Sequence, residues 1–298
     1  MICRAVVTGA TGYIGSCIVK KLIDLGVTVG IICRKNSNMQ LLSNVQENIS
    51  ICVFDGKIEN MVTYLKKFRP EVVFHMASFF VAEHNSNDIR ELIDSNVLFG
   101  TQLLEAMRMS DVHLIINAST AWQHYNNEEY DPVSLYAASK EAFEIILKYY
   151  TAVENFEAIS LAIFDSYGPG DPRKKIIHLL QKIAGTRETL EMSGGEQLLD
   201  MVFIDDVVSD FLCAADMLVK GEKHLEKYYI RSGKLVSLRE LVGVFEKVYG
   251  VKLNIIWGAR PYRRREVMHP ATRGMSICPI KKRVSLEEGL RRIKENDI

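Results

Sequence analysis

The sequence lacks long apolar runs, and none approaches the roughly 18 residues that a membrane span requires. Residues 1–7 lack the charged start, apolar stretch and cleavage site of a secretory signal. The six cysteines form no Cys-x-x-Cys pair and have no histidine at ligand spacing, which disfavours disulfide frameworks and zinc sites. We therefore expect a cytoplasmic protein with reduced thiols, no metal and no membrane partner.

The chain also lacks an excess of either charge, because 37 Lys and Arg residues balance 37 Asp and Glu residues. A balanced charge does not favour nucleic acid or an anionic membrane, so no nucleic-acid partner is expected. The composition, with 48% hydrophobic residues, is that of a globular protein. A chain of 298 residues can form one large domain, or a domain with a smaller lobe.

Short β-branched segments alternate with amphipathic segments through the first half of the chain. The predicted strands are Ala5–Thr8, Val27–Ile32, Ile49–Phe54, Val72–Met76, His113–Asn117 and Ala158–Phe164. Apolar residues recur at helical spacing between these strands, for example at Ile14, Ile18, Leu22 and Leu25. Apolar strands separated by helices indicate a parallel sheet that is buried on both faces.

This regular pattern changes after Gly168-Pro169-Gly170, where the segments become shorter. We predict an α/β fold with a doubly wound parallel sheet over residues 1–165, to which residues 202–218 return. Residues 166–298 are predicted to form a smaller substrate-binding lobe.

Three glycines, Gly9, Gly12 and Gly15, follow the first predicted strand and open a helix. In this context the first allows a tight turn, the second lets the main chain approach a pyrophosphate, and the third lets helix pack on strand. The helix N-terminus offers free N–H groups to phosphate. The segment Thr8–Gly15 therefore predicts a Rossmann dinucleotide site.

A second motif is Tyr136-Ala137-Ala138-Ser139-Lys140, whose spacing places phenol and ammonium on one helix face. An ordinary tyrosine, with a pKa of about 10, is a slow acid–base group at neutral pH, and a nearby Lys140 ammonium favours its phenolate. Thr120 closely follows the fifth predicted strand, at the end of a parallel sheet where ligand-binding residues lie. Thr120, Tyr136 and Lys140 are therefore candidates for the functional site.

Together, the glycine loop, Thr120 and the Tyr-x-x-x-Lys motif resemble the extended short-chain dehydrogenase/reductases, the NAD-dependent epimerase/dehydratase family that modifies sugar nucleotides. The resemblance implies a nicotinamide dinucleotide as cofactor, a Rossmann fold with a smaller lobe, and Thr120, Tyr136 and Lys140 as the catalytic residues. The cofactor-binding residues that it implies are Gly9, Thr11, Gly12, Tyr13, Ile14, Gly15, Asp55, Gly56, Met76, Ala77, Ser78, Asn96, Tyr136 and Lys140. For Asp55 the alternative is a turn cap, and for Asn96 it is a surface helix position.

The end of the second predicted strand reads Ile32-Cys33-Arg34-Lys35, with no acidic residue to accept a bond from a ribose 2′-hydroxyl. Arg34 and Lys35 suit a 2′-phosphate instead, because a guanidinium binds phosphate through charge-assisted bonds. We therefore predict NADP(H), with NAD(H) as the alternative. A solvated basic turn would explain the same residues without a cofactor.

The implied substrate is a nucleotide sugar, and the predicted substrate residues are Thr120, Trp122, Asp165, Arg173 and Arg263. The sequence departs from the family at Ala121-Trp122, where the sugar-nucleotide 4,6-dehydratases carry the Asp-Glu pair that removes water. Leu199 replaces a family arginine for the substrate diphosphate. Arg263 is the best match to a second such arginine, although its cluster could be a solvated loop.

These features predict an NADPH-dependent reductase of a nucleotide-linked 4-keto-6-deoxy sugar. One alternative is a nucleotide-sugar epimerase that holds NAD(P) tightly. Another is a regulator that binds NADP(H) without turnover, which retention of Thr120, Tyr136 and Lys140 disfavours. In the family, helices matching residues 88–109 and 136–154 form a dimer interface, so we expect a homodimer.

Overall fold

The structure is a computed structural model and describes residues 2–186, 188–280 and 283–296. The strands of its main sheet are β1 (Arg4–Thr8), β2 (Thr28–Arg34), β3 (Ile49–Phe54), β4 (Val72–His75), β5 (Leu114–Thr120), β6 (Glu157–Ile163) and β10 (Lys227–Ile230). These seven strands all run parallel, in the order β3-β2-β1-β4-β5-β6-β10.

Helices cover both faces of the sheet, as its apolar strands require. They are α1 (Tyr13–Asp24), α2 (Ile58–Phe68), α3 (Asp88–Ile93), α4 (Phe99–Arg108), α5 (Leu135–Val153) and α7 (Ile204–Val219). Val7 belongs to a buried cluster with α1 and α7, while its neighbour Val6 belongs to the cluster on the opposite face with α2, α4 and α5. The predicted doubly wound fold is confirmed.

Pairing with neighbouring strands extends two strands beyond their predicted ends. Strand β2 continues through Arg34, which pairs with Phe54, and β5 continues to Thr120, which pairs with Ile163. Strand β10, at the sheet edge, has no counterpart among the predicted strands. The sheet therefore places Arg34 and Thr120 at the same end, where the carboxyl termini of the parallel strands lie.

Outside the main sheet and α7, the described residues after position 164 form two short sheets and three helices, which we call the smaller lobe. Strands β7 (Asp165–Tyr167), β9 (Leu198–Phe203) and β11 (Leu235–Ser237) form one sheet, and β8 (Leu190–Met192) pairs with β12 (Ile255–Trp257). The helices are α6 (Ile176–Ala184), α8 (Leu238–Tyr249) and α9 (Leu286–Asn296). One buried apolar cluster joins Val7, Leu180 and Leu290 across both parts, so the predicted division at residue 165 stays a prediction.

Helix α7 packs against α1 and against strands β5 and β6 of the main sheet. It follows β9 and leads to β10, so the chain leaves and re-enters the smaller lobe around it. Within the described ranges, no helix has both the length and the apolar character needed to cross a membrane.

Candidate active site

The turn between β1 and α1 has no room for side chains at two glycines. Gly9 has φ +62°, and a Cβ added there would lie 2.5 Å from the backbone nitrogen of Ala77. A Cβ on Gly15 would lie 2.2 Å from the carbonyl oxygen of Gly9. The turn is closed by a hydrogen bond that Gly12 N donates to Gly9 O (3.0 Å). The main chain itself therefore forms this end of the site.

A cavity of about 680 Å³ opens at this turn, along the carboxyl ends of β1, β2 and β4. Helix α1 begins there with no acidic residue in its first turn and no side-chain cap, which leaves its first N–H groups available to an anion. Seven predicted cofactor residues line the cavity: Gly9, Thr11, Gly12, Arg34, Met76, Ala77 and Ser78. Its size and main-chain donors fit a dinucleotide.

The other predicted cofactor residues do not line this cavity: Tyr13, Ile14, Gly15, Lys35, Asp55, Gly56, Asn96, Tyr136 and Lys140. Asp55 accepts a hydrogen bond from Lys57 N (3.0 Å), which is the turn-capping alternative. Tyr13 is buried and donates from its hydroxyl to Pro169 O (3.1 Å), below the Arg173 guanidinium. These two side chains support the loops around the cavity.

The end of β2 carries mixed charge. The Arg34 guanidinium lies 3.5 Å from the Glu91 carboxylate, and its side chain is 74% exposed. Arg34 N donates to Ser37 Oγ (3.1 Å). Arg34 and Glu91 both line the cavity, as do Arg90 and Asp94. Acidic groups therefore reach this end of the cavity from α3, although none stands at the end of β2.

Asn96 is fully buried in a π-helical turn, Asp94–Leu98, that joins α3 to α4. Its Oδ1 accepts hydrogen bonds from Ser78 Oγ (3.0 Å) and Phe79 N (2.7 Å). Its Nδ2 donates to Phe79 O (3.0 Å) and Ser139 Oγ (2.9 Å). Asn96 thus connects the loop after β4 to α5, and its side chain is not the surface position considered as an alternative.

Tyr136 lies in the first turn of α5, which Ser134 caps by accepting a bond from Ala137 N. Hydrogen bonds join the Tyr136 hydroxyl to the side chains of Ser78 and Thr120. Burial raises the pKa of Tyr136 to about 12, against the smaller effect of those bonds. The phenol is therefore protonated at neutral pH, unlike the phenolate expected from Lys140 alone.

Lys140 lies one helical turn later and is 1% exposed. Within the described ranges its Nζ has no hydrogen-bond partner. Burial lowers the pKa of Lys140 to about 8, while the Glu144 carboxylate opposes that shift. A buried ammonium without a partner is costly, so this atom is suited to hold a polar ligand such as the ribose of a nicotinamide nucleotide.

Sequence reasoning missed Phe80, which lies in the loop after β4. Its ring packs edge-on against Tyr136, with centroids 4.8 Å apart, and lies 5.6 Å from the ring of Trp122. Half of its surface is exposed. An aromatic residue after a ligand-binding strand end was the available signal. Phe80 and Trp122 form an apolar wall beside the phenol.

A second cavity, of about 420 Å³, lies between this wall and the smaller lobe. Four predicted substrate residues line it: Trp122, Asp165, Arg173 and Arg263. Tyr136 lines neither cavity itself, but its hydroxyl is hydrogen-bonded to Ser78, which lines the first, and its ring packs on Phe80, which lines the second. Thr120 does not line the second cavity and reaches the site through Tyr136.

Both arginines in the second cavity already have carboxylate partners. Arg173 makes a two-pronged ion pair with Asp171 (2.6 and 2.7 Å). Arg263 makes a similar pair with Glu266 (2.8 and 2.9 Å) and lies over the Trp122 ring. The basic cluster near Arg263 is therefore not simply a solvated loop.

Lys227, at the start of β10, was also missed. Its Nζ donates to Gln123 Oε1 (2.6 Å) and lies 2.8 Å from Glu144 Oε2. Ser119 Oγ donates to the same Gln123 oxygen (3.0 Å). One ammonium therefore connects the end of β5, helix α5 and β10, behind the catalytic candidates.

The chain matches the family described as NAD dependent epimerase/dehydratase over residues 5–228. The chain belongs to this family. It is 27% identical to CDP-abequose synthase of Yersinia pseudotuberculosis, over 90% of this chain and 91% of that protein. It is also 27% identical to UDP-glucose 4-epimerase of Mycolicibacterium smegmatis, over 80% of each chain.

Solved structures show the same fold over nearly the whole chain. The UDP-glucose 4-epimerase of Thermus thermophilus, in complex with NAD, has a TM-score of 0.79 at 25% identity and 98% coverage of both chains. The UDP-N-acetylglucosamine 4-epimerase of Methanobrevibacter ruminantium has a TM-score of 0.83 at 22% identity, covering 99% of this chain and 98% of that one. The family is thus described as NAD dependent, and the Thermus thermophilus relative was solved with NAD.

Proposed function

We propose that this protein reduces the ketone of a nucleotide-linked 4-keto-6-deoxy sugar with NADPH. The observation that carries the proposal is the position of the Tyr136 phenol, which is hydrogen-bonded to Ser78 of the first cavity and to Thr120 and packs on Phe80 of the second. A ketone reduction needs a proton donor at the carbonyl oxygen, and a phenol with a raised pKa holds that proton at neutral pH.

A reduced nicotinamide bound in the first cavity would supply the hydride for C4 of the sugar. Tyr136 donates its hydroxyl proton to the developing alkoxide, and Thr120, which is hydrogen-bonded to that hydroxyl, stabilises the same oxygen. Lys140 Nζ would hold the nicotinamide ribose and stabilise the phenolate that remains. The hydrogen bonds of Asn96 hold Ser78 and α5 together so that these groups keep their spacing.

One observation favours a 6-deoxy sugar, and a second favours reduction over dehydration. The aromatic wall of Phe80 and Trp122 offers no hydrogen-bonding oxygen to a sugar C6 group, so it suits a methyl. Ala121 and Trp122 follow Thr120 and supply neither the acid nor the base for eliminating water. Reduction without dehydration is therefore the chemistry that these side chains serve.

The nucleotide part of the substrate is supported by the relatives and by the second cavity. The relatives are named for CDP-linked and UDP-linked sugars, and cationic side chains line a cavity large enough for a nucleotide. Arg34 and Ser37 at the end of β2, together with Arg90 of α3, support NADP(H). The NAD complex of the Thermus thermophilus relative makes NAD(H) the alternative.

The rival function is epimerisation, which several relatives carry in their names. An epimerase oxidises and re-reduces one carbon, so its cofactor is unchanged after each turnover. Purified protein, NADPH and a panel of nucleotide-linked 4-keto-6-deoxyhexoses should show stoichiometric loss of absorbance at 340 nm. Interconversion of two unoxidised nucleotide sugars without added reductant would establish the epimerase instead. Binding of NADPH with neither reaction would indicate a regulator.

We also propose a homodimer through α5 and the helices at residues 88–109. Helix α5 exposes an apolar stripe of Ile145, Tyr149 and Val153, each more than half exposed. A stripe of this kind marks an interaction surface. Light scattering should give the mass of a dimer for the wild type and of a monomer for Ile145→Asp. Leu25→Asp, at a comparably exposed position (56%) beyond α1, is the matched control and should stay dimeric.

A further inference from the structure

Lys175 occupies the position immediately before α6 and lines the second cavity. Its backbone is extended (φ −87°, ψ 179°), and its side chain does not cap the helix. It was not among the substrate residues expected from the sequence. Its position places a cation at the wall formed by the smaller lobe.

The charges of this cavity are unequally satisfied. Three cations line it with three carboxylates, but Arg173 and Arg263 each engage one carboxylate through two bonds. Lys175 makes no ion pair with any residue that the structure describes. Burial and the Arg173 guanidinium lower the pKa of Lys175, whereas the Asp165 and Asp171 carboxylates oppose that shift with smaller effects.

A partly buried ammonium without an ion pair gains most from an anion that enters the cavity. Helix α6 has no acidic residue in its first turn and no side-chain cap, so its N-terminus adds favourable potential for the same anion. Leu199, which lines the cavity from β9, contributes no charge. The anionic part of a ligand is therefore attracted to the α6 side.

We propose that Lys175, with the N-terminus of α6, binds a phosphate of the substrate's nucleoside diphosphate. This inference rests on the proposed nucleotide-sugar substrate. In this arrangement Lys175 replaces the charge that is missing at Leu199. Arg263 and Arg173, held by their carboxylates, shape the cavity and make the smaller contribution to phosphate binding.

The test is calorimetric titration of the full-length protein, saturated with NADP⁺ to occupy the dinucleotide cavity, with CDP and UDP. The Lys175→Met variant loses a charge-assisted contact. It should therefore bind nucleoside diphosphates about 10- to 100-fold more weakly than the wild type. Lys174→Met is the matched control, because Lys174 is exposed and does not line the cavity. It should change the affinity less than about twofold.

Titration with cytidine and uridine separates phosphate recognition from damage to the cavity. Lys175→Met should bind these nucleosides as the wild type does. If the wild type and Lys175→Met bind nucleoside diphosphates equally well, the inference is overturned. It is also overturned if the variant binds nucleosides and nucleoside diphosphates more weakly by the same factor. Neither outcome affects the proposed function. Failure of the wild type to bind any of CDP, UDP, GDP and dTDP overturns the proposed substrate class itself, and Lys175 with it.

Discussion

The two cavities, whose lining residues Ser78 and Phe80 both contact Tyr136, differ in the groups that form them. The cofactor cavity is formed at the glycine turn by main chain, short polar side chains and a helix N-terminus, and its charged side chains, such as the pair Arg34–Glu91, lie near the end of β2. The substrate cavity is lined by six charged side chains, four of them in two ion pairs, and by the aromatic rings of Phe80, Trp122 and Tyr167. The first is fixed by backbone geometry, whereas the second depends on pairings among side chains.

This difference predicts how each cavity responds to change. A main-chain site loses its shape when a glycine or a buried hydrogen-bonding residue is replaced, and each effect is large. In a site of paired charges, an arginine can exchange its carboxylate partner for a ligand phosphate. The phosphate must compete with that carboxylate, so the arginine adds little to ligand binding. We therefore expect the largest effects at Tyr136 and the smallest among the paired arginines.

Tyr136→Phe should have the largest effect. Removal of the phenolic oxygen eliminates the proton donor, so kcat for ketone reduction should fall about 10²- to 10⁴-fold. Cofactor affinity should stay nearly unchanged, because the ring and its packing on Phe80 remain. Steady-state rates with a 4-keto substrate and fluorescence titration with NADPH measure the two quantities. Equal turnover by both proteins would remove Tyr136 from the mechanism.

Asn96→Ala tests whether the cofactor side depends on its buried polar connections. The change leaves hydrogen-bonding groups of Ser78, Phe79 and Ser139 without their partner. The free energy of unfolding should fall by about 3 kcal/mol. Denaturant unfolding measures this loss. Asn85→Ala, in an exposed turn, serves as the control, and an Asn96→Ala protein as stable as that control would contradict the role given to Asn96.

Arg34→Ala tests the cofactor preference at the end of β2. A lost contact with a 2′-phosphate should weaken NADPH binding about 10- to 100-fold and leave NADH binding almost unchanged. Lys35→Ala is the matched control, since Lys35 is exposed and does not line the cavity. Tighter binding of NADH than of NADPH by the wild type would decide for NAD(H).

Arg263→Ala should have the smallest effect, because Glu266 already neutralises this guanidinium. We expect KM for a nucleotide sugar to rise only about threefold, the effect of a weak charge contact, with NADPH affinity unchanged. A much larger rise would return the main phosphate contact from Lys175 to Arg263. An unchanged KM would leave Arg263 as a support for Trp122 alone.

The candidate site could be predicted where its residues are close in the sequence. Gly9, Gly12 and Gly15 fall within one strand–turn–helix unit, and Tyr136 and Lys140 within one helical turn, so spacing alone relates them. Their neighbours could not be found in this way. The bond from Lys227 to Gln123 spans 104 residues, and no local pattern marks it.

Sequence alone determined the parallel sheet, its glycine turn and the Tyr-x-x-x-Lys helix, because apolar periodicity and local spacing follow from the geometry of strands and helices. Tertiary structure decided which cations are free to bind a ligand. Arg173, Lys175 and Arg263 are all cationic residues in the sequence, and only the folded structure gives Arg173 and Arg263 a carboxylate partner. The physical reason is that a charge is satisfied by what lies within a few ångströms of it in space, and folding decides which residues those are.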